Sequence, residues 1–411
     1  MKKLVLYSDS ILFSLGILAT LMGAFFIFDA GYPRSIQFGH GTIPKEFKGQ
    51  LIYIMVALLI YKISSNIPVI FWKKWVNLIF GIGFLSLILV EIPKIGFEMN
   101  GARRWIGFGP FSIQPAEFMK VAVILYLAAF FVKKSAAEQK RRHFKNWGEW
   151  VDYVAIPRFK QILPILWVLL AVYLIEKEPD LGTAAIVISS VFILIVLSGI
   201  SWKSILKTAF AGMLGVLFLV TRQPYRLDRI YNHHSRWSAD MMNDLGYQTV
   251  QAETAMAGGG VFGVGIGSGR AKHMLPAATT DFIMATIAEE FGFFGALCVI
   301  LVLGFLTFRL IYLGLRLEDK FGQLFIFGLA AWIGIQTCVN ILMANGALPA
   351  IGIPLPFMSS GGSSLLALWL GLGIAQSFIH DYHEKKKNKK GALNEISGDR
   401  RRYRRTRFSS T

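Results

Sequence analysis

The chain has 411 residues, of which 54% are hydrophobic and 17% charged, with a mean hydropathy of +0.51. Soluble domains carry about a quarter charged residues, so this composition argues against an ordinary water-soluble fold. The formal net charge of +18 gathers in certain loops and in a tail from Lys385 to Arg407, which suits a segment beside anionic lipid and speaks against nucleic acid as a partner.

Apolar runs recur at close to the roughly 20 residues that a bilayer-spanning helix needs. The first follows Lys2 and Lys3 like a signal peptide, but it has no small-residue cleavage site and further spans follow, so it reads as a retained helix. The expected spans are Ser10 to Ala30, Leu51 to Phe71, Trp75 to Ile92, Glu117 to Val132 and Gln161 to Ile175. They continue with Leu181 to Ile200, Ser204 to Thr221, Phe282 to Leu313, Phe321 to Ala344 and Gly361 to Ile379. The fold class is therefore all-α, a polytopic integral membrane protein of about ten transmembrane helices. A transmembrane domain covers residues 1–383, and a basic cytoplasmic tail, expected to be disordered, covers 384–411.

An even number of spans puts both termini on one side. The positive-inside rule makes that side cytoplasmic, since Lys2, Lys3, Lys73, Lys74, Arg141, Arg142, Lys203, Arg316, Lys320 and the tail all fall there. The long extracytoplasmic loop between spans seven and eight, Arg222 to Asp281, has about 60 residues, at the limit where charge ceases to dictate topology. Cys298 and Cys338 lie inside apolar runs, which argues against a disulfide framework.

Charged groups near the outer ends of spans point to function because they are costly at membrane depth. The first set is Gly101-Ala102-Arg103-Arg104-Trp105-Ile106, then Gln114-Pro115-Ala116-Glu117 and Lys120. Glu117 and Lys120 share one helix face, as a structural ion pair or as the lining of a polar cavity. Arg103 and Arg104 read equally as interfacial anchors or anion ligands. The second set, Glu176-Lys177-Glu178-Pro179-Asp180-Leu181-Gly182-Thr183, offers oxygen ligands for a divalent cation, with capping of the next helix the favoured role for Asp180.

The third set opens with Gly258-Gly259-Gly260 and the alternating glycines Gly263 to Gly269, ending at Arg270 and Lys272. The glycines allow backbone amides to approach a ligand, or serve the tight packing of a re-entrant segment. Arg270 and Lys272 would favour an anionic head group. Asp281 follows at the loop's return to the membrane, an N-cap or a partly desolvated general base. Of Glu289 and Glu290, two turns deeper, at most one is expected to face a cavity. The fourth set, Pro349 to Ser364, reads as a broken helix start whose amides, around Gly361 and Ser363, bind an anion or simply pack.

In this order and topology, the four sets resemble the SEDS family of bacterial cell-wall proteins. The resemblance rests on Gly-Ala-Arg-Arg-Trp-Ile with Gln-Pro-Ala-Glu, Glu-Pro-Asp-Leu-Gly-Thr, Thr-Asp-Phe-Ile with Glu-Glu-Phe-Gly, and Pro-Leu-Pro-Phe-Met-Ser with Gly-Gly-Ser-Ser. It runs from the first span to Gln376. It implies a peptidoglycan glycosyltransferase of the inner membrane that polymerises lipid II beside a class B penicillin-binding transpeptidase and other divisome proteins. The family's essential aspartate falls on Asp281, and its cavity pair on Glu117 and Lys120. Arg103, Arg104, Arg270, Lys272, Gly361 and Ser363 are the further substrate-binding candidates, and a divalent cation such as Mg2+ or Mn2+ could assist. Gln251-Ala252 and the glycine run favour the septal, cell-division branch over the elongation branch. Ala116, His273, Ala277 and Ser360 depart from the common pattern, which leaves an acidic helper in the Asp281 loop without a candidate. A lipid II flippase and a non-enzymatic scaffold are the competing readings.

Overall fold

A computed structural model describes residues 9–39, 41–99, 101–108, 111–136, 156–222, 224–238, 240–242 and 246–408. In chain order the elements are α1 (Ser10–Gln37), α2 (Lys45–Asn66), α3 (Val69–Glu91), β1 (Gly96–Met99), β2 (Ala102–Phe108), β3 (Phe111–Ile113) and α4 (Pro115–Ala136). They continue with α5 (Ile156–Lys177), α6 (Leu181–Leu197), α7 (Trp202–Thr221), α8 (Pro224–Ser235), α9 (Tyr247–Gly258) and α10 (Ala271–Met274). The last three are α11 (Ile283–Arg316), α12 (Lys320–Ala344) and α13 (Gly362–Phe408).

Each of the ten expected spans coincides with one of these helices. Among the described residues, α1, α2, α3, α4, α11, α12 and α13 are long and apolar enough to cross a membrane. Their ends follow local rules. Asp9, Asp180 and Asp319 stand before α1, α6 and α12, and each accepts an amide of the first turn, from Leu12, Thr183 and Gly322. Pro115 opens α4, where its missing N–H costs nothing. The bundle centre is built from α4, α12 and α13, with Trp332, Trp369 and Phe325 fully buried. The outer helices turn apolar side chains such as Leu21, Ile70 and Phe308 outward, as lipid contact requires.

Three features differ from the sequence reading. First, the fold is mostly rather than wholly helical: β1, β2 and β3 form an antiparallel sheet in that order, pairing Phe97 with Trp105 and Ile106 with Ile113. These strands are too short to show a clear period-two signal in sequence. Second, Gly292 breaks α11 with φ 66° and ψ −162°, a conformation open to glycine. Third, α13 continues through Phe408, into the segment expected to be disordered; Lys, Arg and Glu there are good helix formers. Lys2, Lys3, Arg141 and Arg142, part of the sidedness argument, lie outside the described residues.

Candidate active site

A cavity of about 460 Å³ opens at the end of the bundle where β2, α4, the α5–α6 turn, the loop before α11 and the start of α13 converge. Arg104, Gln114, Glu117, Asp180, Asp281 and Ser363 line it. Segments far apart in sequence thus meet here, and hydrogen bonds fix how they meet.

Asp281 stands just ahead of α11. Its backbone carbonyl accepts from Asn340 Nδ2 at 2.8 Å, and the same amide nitrogen donates to the Ile353 carbonyl at 2.7 Å. Ser359 Oγ donates to the Thr280 carbonyl at 2.6 Å, and the Ser360 amide donates to the Thr279 carbonyl at 2.8 Å. The Asp281 loop is therefore stitched to the broken start of α13. Gly352 lies against Asp281 Oδ2, and its φ of 71° is a left-handed backbone that favours glycine. Burial raises the Asp281 carboxyl to about 6, and the negative charge of Asp180 pushes the same way while Arg104 and Arg229 pull it down. An acid in that range can act as a general base near neutral pH.

Asp180 caps α6 as expected, and its second oxygen accepts from Gln114 Nε2 at 2.9 Å. Arg104 reaches across from β2 and donates to the carbonyls of Glu178 at 2.8 Å and Pro179 at 2.5 Å. Strand alternation sends its neighbour Arg103 the other way, to within 4.0 Å of Glu98, its ladder partner on β1. Only Arg104 of the two lines the cavity. Glu178 is buried with neither carboxyl oxygen hydrogen-bonded, and burial, then Asp180 and Glu91, raise it to about 9.

Glu117 lines the buried floor, and Lys120, paired with it, lies behind the lining. Lys120 Nζ lies 2.8 Å from Glu117 Oε1, 3.3 Å from Gln336 Oε1 and 4.8 Å from the centre of the Trp332 ring. Gln336 also accepts from Trp332 Nε1 at 2.6 Å and donates to the Pro354 carbonyl at 2.8 Å. Glu117 Oε2 has no hydrogen-bond partner. Ser363 Oγ accepts the Gln114 amide at 2.8 Å, and Gly361 lies in the wall beside it.

The glycine run and its basic residues are placed elsewhere. The amides of Gly267 and Gly269 donate to the Glu290 carboxylate, and those of Arg270 and Ala271 to Glu289, at 2.8 to 3.0 Å. Both glutamates thus bind the chain's own loop, where at most one was expected to face a cavity, and they take up four of the loop's amides. Lys272 is buried, with Nζ 2.7 Å from Glu290 Oε1 and 3.0 Å from Asp29 Oδ1. Its charge is satisfied internally, and neither it nor the exposed Arg270 lines the cavity.

Sequence reasoning missed the α2 wall, where Glu46, Gln50 and Tyr53 line the cavity, and the α12 support from Gln336 and Asn340. Gln336 and Asn340 are polar residues four apart in an apolar helix, a signal that was readable. Among the described residues, no group of three or more His, Cys, Asp or Glu is placed to hold a metal.

Comparison with known proteins agrees with this geometry. The FtsW, RodA and SpoVE family of cell cycle proteins matches residues 9–384. Stage V sporulation protein E of Bacillus subtilis is 34% identical over 330 residues, 80% of this chain and 85% of that protein. A probable peptidoglycan glycosyltransferase FtsW of Nitrosomonas europaea is 34% identical over 372 residues, 89% of this chain and 91% of that protein. Among solved structures, a chain of a peptidoglycan synthase complex superposes with a TM-score of 0.71 at 27% identity, covering 92% of this chain and 99% of that one. The rod shape determining protein RodA of Thermus thermophilus gives a TM-score of 0.63 at 26% identity, over 92% of this chain and 98% of that one. With its long apolar helices, the chain is thus a multi-pass membrane protein that belongs to the FtsW, RodA and SpoVE family, also known as SEDS.

Proposed function

We propose that this protein is a peptidoglycan glycosyltransferase that polymerises lipid II into β-1,4-linked glycan at the outer face of the membrane during septal wall synthesis. The observation that carries this reading is Asp281, a desolvated carboxyl at a polar cavity with Arg104 and Asp180 beside it. Relatives at 31 to 36% identity over most of the chain bear the glycosyltransferase name.

In this mechanism Asp281 accepts the proton of the acceptor sugar's 4-hydroxyl as that oxygen attacks the anomeric carbon of the donor. The bond to undecaprenyl pyrophosphate breaks and the configuration inverts, with no covalent enzyme intermediate. A positioned general base contributes about 10² to 10⁴ in rate. Arg104, fixed by two backbone carbonyls, presents positive charge where the diphosphate departs. Glu117, held by its pair with Lys120 behind the lining, shapes the floor for the neutral sugars more than the pair neutralises phosphate. A divalent cation such as Mg2+ or Mn2+ arriving with the substrate would have Asp180, in the cavity lining, as a carboxylate ligand beside phosphate oxygens, and would offset the leaving group's charge while Asp281 stays free as the base.

The partner class that this reading implies is a class B penicillin-binding transpeptidase with other divisome proteins, and a solved relative in a synthase that couples polymerization to crosslinking supports it. The deciding experiment is polymerisation of purified lipid II by wild type and Asp281→Asn, each with and without the transpeptidase and divalent metal. Polymer from wild type and none from the variant is expected. Equal polymer from both would remove Asp281 from the mechanism, and translocation of lipid II without polymer would make the protein a flippase.

A further inference from the structure

The glycine-rich loop carries a structure that the catalytic reading does not use. Between α9 and α10 the chain folds against the break in α11. The Val264 and Gly265 amides donate to the carbonyls of Glu289 and Glu290, and the Phe293 and Phe294 amides donate back to those of Gly260 and Val261. The Gly263 and Ser268 amides bond within the loop. The two buried carboxylates take the amides of Gly267, Gly269, Arg270 and Ala271. From Gly263 to Ala271 every amide but that of Ile266 is satisfied this way, which lowers the cost of moving this non-helical segment out of water.

At its tip the side chains are apolar and exposed. Phe262 is 81% exposed, Ile266 64% and Val261 53%, beside the exposed Phe293 and Phe294 of α11. The Phe262 and Phe294 rings lie 5.5 Å apart. This patch continues without interruption into the apolar face of α11 that carries Leu301, Phe305 and Phe308, so the surface it extends is the lipid-facing one.

Two helices measure its depth. The ion pair between Asp9 and Arg309, 2.5 Å apart, sets the start of α1 level with Arg309, about two turns before the end of α11. From Asp9 to Asp29 there is about 30 Å of helix, the thickness of a bilayer's hydrocarbon core. Asp29, with Lys272 and Glu290, therefore marks the outer boundary. From Arg309 to Phe293 there is about 24 Å of helix, which puts Phe293 inside that boundary by roughly one helical turn. The contact of Phe291 with Phe26, at 5.6 Å, shows that the two rulers agree.

We infer that the loop tip, Val261 to Ile266 together with Phe293 and Phe294, is a membrane anchor that inserts among the acyl chains of the outer leaflet. It sits just below the headgroups, and Asp29, Lys272 and Glu290 form the polar level above it. The anchor tethers, through α10, the loop that ends at Asp281.

The test uses the full chain in lipid nanodiscs, with Cys298→Ser and Cys338→Ser as background and a Phe262→Cys site carrying an environment-sensitive fluorophore. A spin-labelled phospholipid bearing its quencher near the headgroup should quench strongly, one bearing it near the chain terminus several-fold less, and aqueous iodide little. A second label at His273→Cys, on the exposed turn above, should show the reverse. Unchanged thermal unfolding of the labelled protein guards against misfolding. Quenching of the Phe262 site by iodide and not by lipid overturns the inference. So does shielding that arises only after a transpeptidase is added, which would assign the patch to a protein partner.

Discussion

Asp281, half-buried, and Glu178, buried, are both acids near Arg104, yet their surroundings set them apart. Asp281, raised to about 6, is ionised at neutral pH, while Glu178, raised to about 9, is neutral there. Polymerisation should therefore fall as pH drops through about 6, because the protonated Asp281 cannot accept the acceptor's proton. Since Asp180 raises that carboxyl and Arg104 lowers it, Asp180→Asn should move the acidic limb to lower pH and Arg104→Gln to higher pH. Rate profiles of the two variants, whatever their absolute rates, check the signs; limbs that do not move would exclude Asp281 as the titrating group. For Glu178 the folded state favours the protonated form. Its stabilising contribution is thus present below the ordinary glutamate range and is lost as pH rises through about 9. Glu178→Gln, neutral at every pH and with no hydrogen-bond partner to lose, should remove that loss and so raise stability relative to wild type at pH 7 and further at pH 9.5. Melting curves at pH 7 and pH 9.5 would show it.

The membrane-crossing helices were legible because a bilayer demands long apolar runs, and Asp180 was legible as the cap of α6, while the matching caps Asp9 and Asp319 went unread. The candidate site was legible where the chain concentrates charge: Arg104, Glu117, Lys120, Asp180 and Asp281 could be picked out. What remained hidden were relations between elements. The glycine run and the Glu-Glu-Phe-Gly stretch look like separate motifs in sequence, and they form one unit in which the loop fills the gap left by the break at Gly292. Lys272, chosen for its charge, turned out to spend that charge on Asp29 and Glu290, residues 243 and 18 positions away. The unit gives a sharp expectation. A Cβ at Gly263 would lie 2.1 Å from the Glu290 carbonyl oxygen, at φ 81°. Gly263→Ala should thus cost about 3 kcal/mol or more and free the loop. Gly258→Ala, at the end of α9 with open space around its Cβ, should be neutral or stabilise by about 0.5 kcal/mol. Protease cleavage between residues 259 and 271, with thermal unfolding, separates the two.

Across the whole molecule, sidedness joins the helix pattern to the chemistry. The cavity residues come from segments that the charge pattern alone assigned to the outer side, and they meet at one end of the bundle. At the other end lie the ion pairs Lys73 with Asp319 and Lys385 with Asp381, together with the basic start of the tail. The excess of Lys and Arg at that end fits retention beside the anionic inner leaflet. A chain oriented this way exposes the α10 turn outside and the start of the tail inside. On the cysteine-free background, His273→Cys should react with a membrane-impermeant maleimide in intact cells stripped of their outer barrier. Lys389→Cys should react only after the membrane is opened. The opposite labelling would turn the cavity toward the cytoplasm, where polymerised glycan could not reach the wall, and the glycosyltransferase reading would fall with it. Labelling of both sites in sealed cells would mean an even number of crossings between α10 and the tail, against the three formed by α11, α12 and the first part of α13.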